Sequence, residues 1–286
     1  MSSTFRNKVA ISVAGVIEPA LQAAETTRSA DRPTIDLTAY DLYLRALAVF
    51  LPVTKERVLE ALGLLEQATA IDRHYGPALA LAAMCHLRLV VDGWAAEPET
   101  TRRKATDLAR QALEVGQSDP GILANAAQVL ALFGEDTGAM TGLVDRALAF
   151  NPSFARGWFV RGVLRLWAGQ LDLAIEHVET SLRLSPRERM GVPLHVMGMA
   201  YFLKREFDEA ASKLLLAIQD HPRFPVTYRT LAACYAHMGR LDEARAIVAR
   251  LRALTPQVIP SDLPLRNPED RELLLSGLRL AAGEET

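Results

Sequence analysis

Four prolines close apolar helical runs at nearly constant spacing: Pro152 in FNPSF, Pro186 in LSPRE, Pro222 in DHPRF and Pro256 in LTPQV, at intervals of 34, 36 and 34 residues. Self-similarity at such a period confines a chain to architectures in which each unit rests on the next, because one unit cannot bury its own apolar face. Small residues keep the same beat. Gly162, Gly198 and Ala232 recur in the first half of successive units, and Ala174, Ala210 and Ala244 in the second. Side chains this small let the two helices of one unit approach closely. Gly169 and Gly239 stand where a first helix has to stop and supply the backbone freedom that a helix end uses. Each proline stands where a helix has finished, since it cannot continue one.

A helix–turn–helix unit with a period near 34 is that of the tetratricopeptide repeat (TPR). The resemblance is clearest from Ala155 to Pro186, with Trp158, Gly162, Gly169, Ala174, Val178 and Ser181 in the repeat positions. The next unit places Leu194, Gly198, Tyr201, Phe207, Ala210, Leu214, Ala217 and Pro222 in the same register. The one after it places Tyr228, Ala232, Tyr235, Gly239, Ala244, Val248, Leu251 and Pro256 there. Toward the N-terminus the pattern wears but persists, through Leu123, Ala127 and Gly134, through Leu79, Ala83 and Ala105, and through Tyr43, Ala46 and Ala61. The pattern predicts an all-α, right-handed superhelical solenoid of about six helix pairs. The units fall at approximately 38–75, 76–119, 120–154, 155–188, 189–224 and 225–258.

The ends of a solenoid turn a different face to water. A capping helix is expected over 268–282, opening with Pro268, Glu269 and Asp270, its acids favourable to the helix dipole. Leu273, Leu274, Leu278 and Leu280 are expected to cover the open face of the sixth unit. Residues 1–36 are read as an N-terminal helix, Lys8 to Ala24, and a polar linker. The turn from Val91 to Thr100, with Gly93 and Pro98, is expected to project as a mobile loop.

Charge and composition narrow the function. Lys+Arg 32 against Asp+Glu 34 leaves a formal charge of -2, without the basic excess of a nucleic-acid binder. The densest basic cluster, Arg102, Arg103 and Lys104, is followed by Asp107 and reads as a solvated helix face. The run Val9–Ile17 after Arg6 and Lys8 imitates a secretory signal. Glu18 and Pro19 interrupt it, however, and the helical pattern continues beyond. No stretch approaches the ~20 apolar residues that span a bilayer. Cys85 and Cys234 lie alone in apolar segments, so buried reduced thiols and a cytoplasmic setting are expected.

The run Leu37–Leu47 (LTAYDLYLRAL) and the preceding helix with Val16–Pro19 resemble the entry to the C-terminal TPR region of bacterial adenylate/guanylate cyclase-like multidomain proteins. That resemblance implies a cyclase or winged-helix domain first, a TolB-like domain next and the repeats last. It covers about Val9 to Gly283 but only the last part of that architecture. The metal-binding aspartates of the cyclase domain have no counterpart here. The resemblance therefore implies a regulatory or partner-binding arm rather than an enzyme.

Catalytic constellations are absent from the sequence. No two of His74, His86, His177, His195, His221 and His237 are three or four apart, as a helical metal pair would be. Neither a nucleophile elbow nor a phosphate-binding glycine loop occurs. No metal or cofactor is expected. The free face of the first helices is what remains, and it assigns Gln128, Arg156, Phe159, Val163, His195, Met199, Phe202 and Arg229 to a concave, partner-binding surface. Large apolar side chains on such a face either dock a partner or pack between repeats. Arg156 and Arg229 would suit an acidic peptide. A protein or peptide partner is expected, with homodimerisation through the end helices as a further arrangement.

Overall fold

The computed structural model describes residues 38–185, 190–260 and 263–283. The expected N-terminal helix, the linker after it and Pro186 lie outside the described residues. Among the described residues there are thirteen helices and no strand. They are α1 (Ala39–Phe50), α2 (Lys55–Ile71), α3 (Gly76–Val91), α4 (Pro98–Val115), α5 (Pro120–Leu132), α6 (Thr137–Phe150), α7 (Ala155–Trp167), α8 (Leu171–Leu184), α9 (Gly191–Leu203), α10 (Phe207–Asp220), α11 (Pro225–His237), α12 (Leu241–Arg252) and α13 (Pro268–Ala282). From α1 to α12 they form successive antiparallel pairs, stacked into a TPR superhelix.

The two helices of a pair differ in how much they bury, and the difference is in their sequences. Even-numbered helices carry a narrow stripe. In α4, Ala105, Ala109 and Ala112 are buried at helical spacing, and most of the remaining positions are charged or polar. The first helices α3, α5 and α9 are apolar nearly all round. In α3 Ala78 to Cys85 are all buried, because that helix packs on its own partner, on both neighbouring units and on the inside of the superhelix. The small residues act as the spacing required. A Cβ on Gly162 would lie 2.7 Å from Val178 Cγ2 and 3.1 Å from the Ala174 carbonyl oxygen. Gly198 meets Leu214 and the Ala210 carbonyl in the same way. Trp158 Nε1 donates to the Pro152 carbonyl at 2.9 Å, and Tyr228 Oη to the Pro222 carbonyl at 2.7 Å. An aromatic donor six residues on thus secures two of the proline turns.

From the second pair to the sixth, the turn inside the pair reverses through a residue of positive φ, Gly169 at φ 76° and Gly239 at φ 74° among them. The following amide then reaches back to close the helix, as Gln170 N does to the Arg165 carbonyl. In the fifth pair Arg205 occupies that position at φ 63°. A side chain there costs about 1–2 kcal/mol. Arg205→Gly is therefore expected to raise stability by about 0.5–1 kcal/mol, less than the full strain because glycine also loosens the unfolded chain. Urea unfolding of the two proteins checks this, and an unchanged or lowered midpoint would refute it.

Two expectations need correction. The Val91–Thr100 turn does not project. Helix α4 already begins at Pro98, Asp92 is fully buried, and Trp94 Nε1 donates to the Leu254 carbonyl at 3.2 Å. An indole and a carboxylate at the start of the turn draw it inward against residues remote in sequence. The second correction concerns Leu280, which is 37% exposed, whereas Leu273, Leu274 and Leu278 are buried. These three face α11 rather than the free end of the stack. Gly277 lies against Ala233, and His237 Nε2 is 2.7 Å from the Leu273 carbonyl. Helix α13 thus closes the last unit from its inner side.

Candidate ligand cavity on the inner face

The inside of the superhelix is lined by the odd-numbered helices alone, together with the stretch that leads from α12 to α13. Residues 254–260 and 263–266 of it lie against the inside of the superhelix. The Leu254 carbonyl accepts from Trp94, and the Gln257 carbonyl accepts from Arg229 Nη2 at 2.9 Å. Further on, Arg266 N donates to the Trp167 carbonyl, and its guanidinium reaches the carbonyls of Ala131 and Glu135 at 3.2 and 3.0 Å. The concave face is therefore not an open groove. Pro260, Leu263, Pro264 and Leu265 roof it, and α3 meets α11 across it, leaving a cavity of about 150 Å³.

The structure brings Gln128 (α5), Phe159 and Val163 (α7), His195 and Met199 (α9) and Arg229 (α11) together on this one cavity. Arg156 stands just behind its wall, donating to Gln128 Oε1 at 2.8 Å and to Asn125 Oδ1 at 3.1 Å, with its guanidinium 5.3 Å from the Phe159 ring centre. Phe202 is not on this face. It is fully buried, its ring 5.8 Å from Phe207 and 5.9 Å from His237. Its ring packs between α10 of its own unit and α11 of the next, in the seam between units. Phe159 and Met199, both 7% exposed, are also largely core.

Residues the repeat pattern did not single out supply the charge. Arg88 Nε donates to Asp92 Oδ2 at 2.9 Å, and its guanidinium lies 4.6 Å over the Phe224 ring. In sequence Arg88 and Asp92 are an ordinary pair four apart at a helix end. Only the meeting of α3 with α11 buries them. Arg229, 3% exposed, donates to the Val91 carbonyl at 3.0 Å as well as to Gln257. Burial lowers its pKa to about 10, opposed by Asp92, so it stays charged at neutral pH. Burial pushes the Asp92 carboxyl up, while Arg88 and Arg229 pull it down. Burial, with Arg88 adding to it, lowers His195 to about 3, so its ring is neutral. Two guanidiniums thus face one carboxylate beside a mainly apolar cavity that Gln128, His195 and Thr230 also line.

Both cysteines are buried, as expected, and burial raises their thiols. They are poor nucleophiles at neutral pH. Among the described residues there is no group of three His, Cys, Asp or Glu placed to hold a metal ion. No helix there is long and apolar enough to cross a membrane.

Comparison with known proteins agrees with the fold. Residues 201–260, which hold the fifth turn and the sixth pair, match the tetratricopeptide repeat family. No curated protein sequence matches the chain. Among solved structures it is similar to the APC/C hetero-tetramer Cut9–Hcn1, at 15% identity and TM-score 0.58, over 94% of this chain and 48% of that one. It is also similar to the human IFIT1 dimer with m7Gppp-AAAA, at 18% identity and TM-score 0.62, over 78% of this chain and 52% of that one. The type IV pilus biogenesis factor PilW aligns at 16% identity and TM-score 0.52, over 82% of this chain and 98% of that one. This chain spans about half the length of the first two. At these identities the likeness shows the fold alone, a TPR superhelix.

Proposed function

We propose that the protein is a non-catalytic interaction module whose inner face holds an extended segment of a partner protein. One observation carries this reading: that face already holds a non-helical segment, residues 254–260 and 263–267 of the chain itself. It does so through side chains of Trp94 and Arg229 that bond to backbone carbonyls and through apolar contacts to Pro260 and Leu263. Bonds to carbonyls are indifferent to sequence, so a partner segment that displaces this one would meet the same donors. Arg156 and Gln128 would border it. A regulatory arm of a nucleotide-cyclase-type protein is one setting for such a module, supported by the resemblance at Leu37–Leu47.

The test is site-specific photo-crosslinking in the producing cell. Benzoylphenylalanine replaces Gln128 on the inner face or, as a control, the exposed Glu179 on α8. A discrete crosslinked protein from the Gln128 position and none from Glu179 is the expected result. Crosslinks from Glu179 alone would move the interaction to the outer face and overturn the proposal.

A further inference from the structure

We infer that the roofed cavity is a binding site for a small monocarboxylate with an apolar body of about the size of a benzene ring. Size comes first. The cavity measures about 150 Å³ and its walls include Phe159, Val163, Met199 and Leu274. An apolar cavity of about 150 Å³ holds benzene.

Charge comes second. Arg88 engages Asp92 through two nitrogens, which leaves Arg229 with neutral carbonyl acceptors only, at Val91 and Gln257. Arg229 is 97% buried by its 3% exposure, and its Nε has no hydrogen-bond partner among the described residues. Neither has Nδ1 of His195, in the facing wall. Asp92 is bonded to Arg88 and acts on Arg229 only through space, so one added carboxylate would give Arg229 a hydrogen-bonded anion of its own. A single anionic group is what the surplus calls for, two guanidiniums less one carboxylate. Guanidinium is also the side chain best shaped for a carboxylate. The cavity thus has an apolar compartment and a cationic wall, the two halves of an amphiphilic organic acid.

This site needs the chain's own roof in place, whereas the partner reading has a segment take the place of that roof, so the two are alternative states of one face with separate readouts. Phenylacetate and its neutral counterpart 2-phenylethanol are the probes, titrated against the full chain by saturation-transfer NMR. Phenylacetate is expected to bind with a Kd of about 1 mM or tighter, the range that ligand efficiency allows so small a molecule. The alcohol is expected to bind about 10-fold more weakly or worse, having no charge to offer Arg229. Arg229→Met should erase that preference. Should this variant fail to fold, Val163→Phe, which fills the apolar compartment, should abolish binding of both probes while its helical circular dichroism is unchanged. Equal binding of the alcohol and the acid by the unaltered chain would overturn the inference. So would undiminished phenylacetate binding in a folded Val163→Phe variant, or no binding up to about 10 mM, beyond the range for a ligand of this size. None of these outcomes bears on whether Gln128 crosslinks a partner.

Discussion

Asp92→Ala is expected to cost about 3–5 kcal/mol of stability, the usual consequence of stripping a buried charge from its partner. The carboxylate is fully buried and bonded to Arg88, and Arg229 stands close enough to affect its ionisation. Removing it leaves two guanidiniums inside the protein with no anion between them. The loss should exceed that from any exposed pair on the outer surface, such as Arg245–Asp242, where about 0–1 kcal/mol is at stake. Chemical denaturation of both variants measures the contrast. The double change Arg88→Met with Asp92→Leu should return part of the loss, because an apolar pair of similar volume replaces the ion pair. A single-variant loss below about 1 kcal/mol would mean that water reaches Asp92 and that the charge network is not a buried one.

The second large effect is expected for Phe159→Ala, at about 3 kcal/mol of stability. Truncating a core phenylalanine costs about 3–5 kcal/mol, and the lower end applies because one side of this ring borders an existing cavity and has fewer contacts to lose. Its other surroundings are core, with Val160, Val163 and Met199 in the same cluster and the Arg156 guanidinium beside the ring. A ring that served only as an anchor for a partner would behave differently, with a near-normal unfolding midpoint and affinity reduced by ~2 kcal/mol. Unfolding and crosslinking yield measured on the same variant separate these two roles. An unchanged midpoint would contradict the burial described above.

Much of this architecture was legible in the sequence because repeat packing is local. Pro152, Pro222 and Pro256 mark where units turn, and Gly162 and Gly198 mark where their helices touch. Each of these constraints acts within about one unit, so periodicity reports it. The candidate surface was legible for the same reason, since six of its eight residues line one cavity. Phe202 was misplaced because the apolar all-round composition of α9 gives no stripe from which to fix an inner edge. The roof and the buried Arg88–Asp92 pair were not legible at all. Their contacts join positions such as Trp94 and Leu254, 160 residues apart. They occur once rather than in every unit, so no periodic signal encodes them. A proline-rich stretch after the last repeat reads as a linker until its carbonyls are seen to be bonded.

A chain of repeats that touch only their neighbours stretches like a coil spring and can shed its end units one at a time. The bonds from Trp94 to Leu254, from Arg229 to Val91 and from Arg266 to Ala131 tie the second and third pairs to the sixth and to the stretch beyond it. They turn the spring into a clasped bracelet. Tension applied across the second to sixth pairs meets these clasps before it can open the turns between them, and the sixth pair cannot fray without also loosening α3 and α5; the first pair alone lies outside the clasp.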